Sequence, residues 1–321
     1  MAAFFTRQIF SGILVCQYYG YQERGVMSII LCSTGAGTRY SSRGTDPHTI
    51  LGYGHQLGVD LELLLDRSWI HDLEAVVALL RVSDLHFPVI HAQKEIGPAL
   101  GSANPEEQAQ ALHWLDANCQ LGGKLGARLV VLHLWGMPHS DAHLERNLRM
   151  WSACIDTAEC HNLALAVETI PCRQSDPLSN VLRAVERDGR CRVALDTEFL
   201  AKHQQIETVF TTDWLWREPL VRHIHIKDYD GEGCSADGRR RYLQPGEGKI
   251  NFERFFAGLS WCGFTGTISL EAPALSSDGL ADVRRLQESI EVRLGSLEKS
   301  ITKQFAIRGR HSISHFLYVE I

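Results

Sequence analysis

Short apolar runs rich in β-branched residues alternate along the chain with longer stretches whose apolar residues recur at helical spacing. Eight of the short runs are predicted to be strands: 28–35, 59–65, 87–92, 128–136, 163–171, 192–199, 221–229 and 266–273. Most are followed by a predicted helix, such as 105–127, which opens at Pro105 with acidic residues in its first turn. Because this alternation is typical of a parallel sheet and eight units close a barrel, the sequence predicts a single α/β domain, a (β/α)8 TIM barrel.

The two ends of the chain are not needed to form the eight strand–helix units. We expect residues 27–299 to form the catalytic barrel, with the predicted closing helix at 281–299. Residues 1–26 fit a secretory signal or an organelle transit peptide poorly, and we favour an extension outside the fold, with Met27 as the natural start. Residues 300–321 pack on the outside, mediate association into a homo-oligomer, or are disordered.

Composition narrows the class of protein. The formal net charge of −6 argues against nucleic acid as a partner, because phosphate neutralisation needs a basic face. No apolar run approaches the roughly 18 residues that span a bilayer, so we expect no membrane partner. The nine cysteines include no CxxC pair, which indicates a reduced compartment and a cytoplasmic location. Cys32 and Cys191 are expected in the core.

Polar side chains recur at the C-terminal ends of the predicted strands. They are His91, His133, Glu168, Asp196, His223, His225, Lys227, Asp228 and Glu271. In a parallel barrel these ends meet at one rim, where active sites form. Any one of these residues is more often structural, but two glutamates, an aspartate and a histidine that meet from four consecutive strands would repel each other without a cation. Their mixed oxygen and nitrogen donors predict one divalent ion: Mn²⁺, Mg²⁺, Co²⁺ or Zn²⁺.

Four segments, LAVETIP, VALDTEF, RHIHIKD and ISLEAP, resemble the metal motifs of the sugar phosphate isomerase/epimerase family, the xylose isomerase-like TIM barrels. The resemblance implies that Glu168, Asp196, His225 and Glu271 bind the metal, with the H-x-K-D placement favouring His225 over His223. It implies a sugar, sugar phosphate or related polyol as substrate. Glu168 and Glu271 would then exchange protons beside the carbonyl, through an enediolate that the metal stabilises.

The resemblance also implies contacts with the substrate. His91, His133 and Lys227 are expected to position hydroxyls or polarise the carbonyl. Trp135 either forms an apolar wall against a sugar face or belongs to the core. The segment PGEGKINF resembles the family loop after strand seven and makes Glu247 a further substrate-binding candidate. The preceding run 239–241, three arginines, is either a solvated basic loop or an anion site for a phosphorylated or carboxylated substrate.

Three alternatives stay open. A dehydratase of an inosose- or dehydroshikimate-like substrate would use the same metal site. An endonuclease-IV-type DNA repair enzyme needs three zinc ions, and this chain departs from that pattern. Phe199 replaces a ligand histidine, and Arg240-Arg241-Tyr242 replaces an Asp-Arg-His run, so we disfavour this alternative. The third alternative is a non-catalytic binding protein that retains the barrel.

Overall fold

A computed structural model describes residues 29–38, 46–234, 240–277 and 279–295; the predicted extension 1–26 and tail 300–321 lie outside them. Eight parallel strands form a closed barrel in sequence order, which confirms the predicted fold. The strands are β1 (Ile29–Ser33), β2 (Leu61–Leu64), β3 (Val89–His91), β4 (Leu129–Leu132), β5 (Ala164–Glu168), β6 (Arg192–Asp196), β7 (Val221–Ile226) and β8 (Thr267–Leu270). β8 pairs with β1 and so closes the sheet.

Helices connect the strands on the outside of this barrel. They are α1 (Thr34–Thr38), α2 (Pro47–Leu57), α3 (Leu73–Arg81), α4 (Ile96–Leu100), α5 (Pro105–Leu125), α6 (Leu144–Cys160), α7 (Pro177–Arg187), α8 (Thr197–Lys202), α9 (Asp213–Trp216), α10 (Phe252–Trp261) and α11 (Val283–Gln287). Short 3₁₀ helices cover Arg67–Asp72 and Thr208–Thr211, and a π-helical turn covers Glu288–Leu294. Among the described residues, no helix has the length and apolar character that crossing a membrane requires.

Three of these helices begin in the same way. Asp46, Asn104 and Asp176 each precede a proline, and each side chain accepts a hydrogen bond from a backbone N–H of the first helical turn. Proline has no N–H to donate, but the N–H of the first helical residue has no partner within the helix, so no hydrogen bond is lost. The pair of signals therefore sets where α2, α5 and α7 begin.

Several predicted elements are longer than the observed ones. The run 128–136 predicts a strand through the whole segment, yet β4 ends at Leu132. The apolar pattern reports burial, and Leu134 and Trp135 are buried in the loop beyond the last paired residue. Likewise, the predicted closing helix 281–299 appears as α11 followed by the π-helical turn, with 296–299 outside the described residues.

Alternate residues of the strands face two different apolar layers. A small cluster inside the barrel contains Leu31, Val89, Leu129, Val131, Ala166 and Ala194. A much larger cluster, which includes Cys32 and Cys191 as predicted, lies between the barrel and the helices. Since successive side chains of a strand point to opposite faces, residues two positions beyond the inner set also face the interior. Going up the barrel from Val89, Ala166 and Ala194, these residues are His91, Glu168 and Asp196.

Candidate active site

The four predicted metal ligands come together at the C-terminal rim of the barrel. One ligand atom from each of Glu168, Asp196, His225 and Glu271 can be chosen so that all lie within 4.8 Å of one another. All four residues are at most 1% exposed. Glu168 and Asp196 are the last residues of β5 and β6, His225 lies in β7, and Glu271 directly follows β8. Three carboxylates and an imidazole are a donor set that suits a divalent ion.

Glu168 is held by three histidines: His91 in β3, His133 directly after β4, and His225 in β7. Its Oε2 atom lies 2.6 Å from His133 Nε2 and 3.2 Å from His91 Nε2, and its Oε1 atom lies 2.8 Å from His225 Nδ1. Burial alone would raise the pKa of Glu168, but His133 and His225 hold that pKa well below its usual range. Glu168 is therefore a carboxylate, which is the form that binds a metal or accepts a proton.

Lys227 supplies a cation to the other two carboxylates. Its ammonium lies 2.6 Å from Asp196 Oδ2 and also contacts Glu271 Oε2. Burial would lower the pKa of Lys227, but Asp196 and Glu271 raise it, so the lysine is charged. Burial raises the pKa of Asp196 to about 7 even though Lys227 opposes that shift. Part of the repulsion that the sequence places at this rim is thus neutralised by the chain itself.

Glu62 is a site residue that the sequence analysis did not select. It lies in β2, fully buried inside the barrel, and its Oε1 atom is 2.8 Å from His225 Nε2. Burial would raise the pKa of Glu62, but His225 and His223 hold it well below its usual range. The available signal was a charged residue flanked by leucines in the run VDLELLL, where alternation with Leu61 and Leu63 turns Glu62 inward.

A second group of possible ligands shares Glu168. His91, His133 and Glu168 also offer atoms within 4.8 Å of one another, so the two histidines predicted to bind substrate lie beside the candidate metal ligands. His133 retains slight exposure, with 12% of its side chain accessible, whereas His91 is fully buried. Burial lowers the pKa of His133 to about 4, against the opposing effect of Glu168.

Next to His133, α4 packs closely against the backbone at the end of β4. A side chain at Gly97 would overlap the carbonyl oxygen of His133. Glycine at this position lets α4 lie against the backbone of His133.

Phe199 fills the place where a further histidine ligand would be needed for a trinuclear centre. Two cations lie near its ring, with Lys227 Nζ at 4.6 Å and the Arg240 guanidinium carbon at 5.2 Å from the ring centre. Arg240 also binds both carboxylate oxygens of Glu198, at 2.8 and 2.9 Å, and Arg241 binds Asp230. Because Arg240 and Arg241 already pair with carboxylates of the chain, the structure favours a basic loop over an anion site; Arg239 lies outside the described residues.

Asp228 holds the glycine-containing loop that follows β7. Its Oδ2 atom accepts hydrogen bonds from the backbone of Gly246 and Gly248, at 2.8 and 2.9 Å, and its Oδ1 atom accepts from Ile250 at 3.0 Å. A side chain at Gly248 would overlap the Asp228 carboxylate. The close approach explains why this position needs glycine, and Asp228 thereby fixes the loop beside Lys227.

Two predicted substrate contacts have other partners in the structure. Trp135 is 1% exposed and belongs to the core cluster, and its indole N–H donates to the carbonyl of Pro171 at 3.2 Å. Of the two roles predicted for Trp135, the structure therefore favours the core. Glu247 accepts from the Arg285 guanidinium, 2.8 Å from Oε1 and 2.9 Å from Oε2, rather than contacting the metal ligands. Its contacts indicate a role in tying the loop to α11.

Eight parallel strands closed into a barrel, with helices on the outside, place the chain in the class of TIM barrels, and its acidic and histidine residues cluster at the carboxyl ends of the strands, where the active sites of this class lie. Within this class, the chain belongs to the xylose isomerase-like TIM barrel family, whose model matches residues 59–293. The resemblance seen in the four sequence motifs is thus confirmed.

Solved structures with the same fold include several sugar epimerases. A D-tagatose 3-epimerase-like protein is 18% identical with a TM-score of 0.67, covering 86% of this chain and 99% of its own. L-ribulose 3-epimerase is 16% identical with a TM-score of 0.63, covering 91% and 100%. The IOLI protein with a binding zinc atom is 13% identical with a TM-score of 0.61, covering 85% and 99%. No curated protein matches the chain by sequence.

Proposed function

We propose that the protein is a divalent-metal-dependent isomerase or epimerase of a sugar, sugar phosphate or related polyol. The observation that carries the proposal is the convergence of Glu168, Asp196, His225 and Glu271 at the rim. Membership of the xylose isomerase-like family and the sugar epimerases among its structural neighbours support it, as does the zinc of the IOLI protein. A bound divalent ion, which is Mn²⁺, Mg²⁺, Co²⁺ or Zn²⁺, would act as a Lewis acid on the substrate carbonyl.

Glu168 and Glu271 are the proposed proton-transfer groups. Glu168 ends β5 and Glu271 directly follows β8, and two strands separate β5 from β8 around the closed barrel, so the two residues approach the rim from different sides. Removal of a proton beside a carbonyl and its return from the other side need two such groups. Glu168 is held ionised by its histidines and can accept a proton, while Lys227 and Lys94 lie within ion-pair distance of Glu271.

The remaining polar groups at the rim are proposed to orient the substrate. Lys94, whose side chain is 35% exposed, and His133 are the groups of this cluster that reach solvent. A hydroxyl or carbonyl oxygen entering from the rim meets these two side chains before the buried carboxylates. His91 donates its Nδ1 proton to the carbonyl of Ala92, which leaves Nε2 to face Glu168.

The experiment measures proton exchange. Purified protein with Mn²⁺ is incubated in D₂O with a panel of ketoses, sugar phosphates and inosose, and NMR follows deuterium entry beside the carbonyl. We expect exchange with at least one compound. Because Glu271 is proposed to move the proton, Glu271→Gln should lower the exchange rate by about 100-fold or more. Glu107→Gln, an exposed change on α5, is the matched control and should exchange at the wild-type rate.

Three results would contradict the proposal. Undiminished exchange in Glu271→Gln would overturn the assignment of that residue. Elimination of water from inosose would indicate the dehydratase. Protein that retains no divalent ion and is not stabilised by one would support a binding barrel without catalysis.

A further inference from the structure

Glu62 is a buried carboxylate that the proposed proton transfers do not use. It is 0% exposed and is paired in register with Val89, a member of the apolar layer of the barrel interior. A carboxylate in such surroundings is costly unless hydrogen bonds and opposite charge compensate it. The compensation comes from β7, on the far side of the barrel interior.

Between the two histidines of β7, the hydrogen bond of Glu62 goes to His225. Glu62 Oε1 lies 2.8 Å from His225 Nε2 but 3.7 Å from His223 Nε2, which is too long for a hydrogen bond. His223 has its own partner, because its Nδ1 atom lies 2.6 Å from Thr267 Oγ1. Glu62 therefore acts on the histidine that is a candidate metal ligand.

The contact distinguishes the two nitrogens of His225. With Nε2 directed down at Glu62, Nδ1 is the nitrogen that faces the metal ligands, 2.8 Å from Glu168 Oε1 and 3.8 Å from Glu271 Oε2. An ionised carboxylate can only accept a hydrogen bond, so the Nε2 atom of His225 must carry a proton. By the same rule Nδ1 donates to Glu168 Oε1, and a metal would take the place of that proton while Nε2 keeps its own proton towards Glu62.

We propose that Glu62 is a positioning residue that holds His225 as the Nε2–H form and aims Nδ1 at the metal. The proposal rests on the metal site of the proposed function. Carboxylates that accept from the second nitrogen of a ligand histidine fix its ring orientation and strengthen its binding, and their loss commonly weakens metal affinity about 10–100-fold.

The test uses Co²⁺ alone as the probe, titrated by calorimetry into metal-free wild-type protein and variants. Glu62→Leu fills similar volume but accepts no hydrogen bond, and its Co²⁺ affinity should fall about 10–100-fold. Glu62→Gln keeps a neutral acceptor, so its loss should be smaller. Thr267→Val is the matched control: it removes the partner of His223 at a similar depth and should change affinity by less than about twofold.

A second measurement needs no substitution. In Zn²⁺-loaded wild-type protein labelled with ¹⁵N-histidine, His225 should show a protonated Nε2 and a metal-bound Nδ1. If Glu62 has only a structural role, the ¹⁵N signals of His225 should be the same in wild type and in Glu62→Gln. If Glu62 positions His225, these signals should shift in the variant.

The outcomes separate this inference from the proposed function. If wild-type protein binds no Co²⁺, the metal site itself fails. If wild-type protein binds Co²⁺ and both Glu62 variants bind it equally well, only the positioning role is overturned. A metal on Nε2 of His225 would overturn it as well, even if Glu62→Leu does not fold.

Discussion

Asp141 ties the loop that follows Glu168 to the loop after β4, and its replacement by asparagine tests how firmly that loop is held. The buried carboxylate accepts hydrogen bonds from three consecutive backbone N–H groups and one side-chain amide. The donors are Arg173 at 2.7 Å, Gln174 at 3.1 Å, Ser175 at 2.9 Å and the Asn180 amide at 3.2 Å. An asparagine would present an NH₂ group to some of these donors and so lose both charge and acceptors.

The size of the effect follows from the pKa of this carboxyl. Burial would raise the pKa, but these hydrogen bonds lower it from 3.8 to about 2. At about 1.4 kcal/mol per pKa unit, ionised Asp141 contributes roughly 2 kcal/mol to the free energy of unfolding. Because the folded pKa is the depressed one, this stabilisation is complete above the unfolded value near 3.8 and is lost as the pH falls towards 2.

The assay is urea unfolding of wild-type protein and Asp141→Asn, followed by circular dichroism at pH 7 and pH 3. We expect the variant to be less stable by roughly 2 kcal/mol at pH 7 and by about half of that at pH 3. Asp156→Asn, an exposed change on α6, controls for the loss of one charge. A difference between wild type and Asp141→Asn that is the same at both pH values would refute the reasoning.

Two further variants test contacts around the rim. Lys227→Met leaves Asp196 and Glu271 without their buried ammonium, so unfolding in chelator should become easier by about 3–5 kcal/mol. Added Mn²⁺ should restore part of the lost free energy of unfolding. If Lys227→Met is as stable as wild type in chelator, the prediction is wrong. Gly248→Ala should destabilise by about 1–3 kcal/mol in thermal unfolding, because its side chain overlaps the Asp228 carboxylate. Gly189→Ala, which meets no neighbouring atom, should be near neutral, and equal effects of the two glycine changes would rule out the overlap.

The barrel and the four candidate ligands could be predicted from the sequence because both depend on local order. Apolar runs alternating with helical stretches define the strand–helix units, and a polar residue at the end of each run reaches the rim whatever the loops do. Closure of the sheet brings the strand ends together, and the resemblance of four motifs to the family selected Glu168, Asp196, His225 and Glu271 among the residues there. The metal and the reaction stay predictions.

Contacts between distant strands could not be read in the same way. The sequence places Lys227 near a substrate and Glu247 in a binding loop, whereas the structure pairs Lys227 with Asp196 and Glu271, and Glu247 with Arg285. Which polar groups meet depends on side-chain direction and on spacing across the barrel, and neither leaves a local pattern.

Glu62 shows most clearly the difference between what the sequence predicts locally and what the tertiary structure decides. Its position in a strand, and its alternation with Leu61 and Leu63, are written in the sequence and turn it towards the barrel interior. Its partner is His225, which is 163 residues away in the chain. The local order of apolar and polar residues therefore determined the fold and the residues at the rim. Only the closed tertiary structure decided which buried charges compensate one another, because strands that are remote in sequence face each other across one interior.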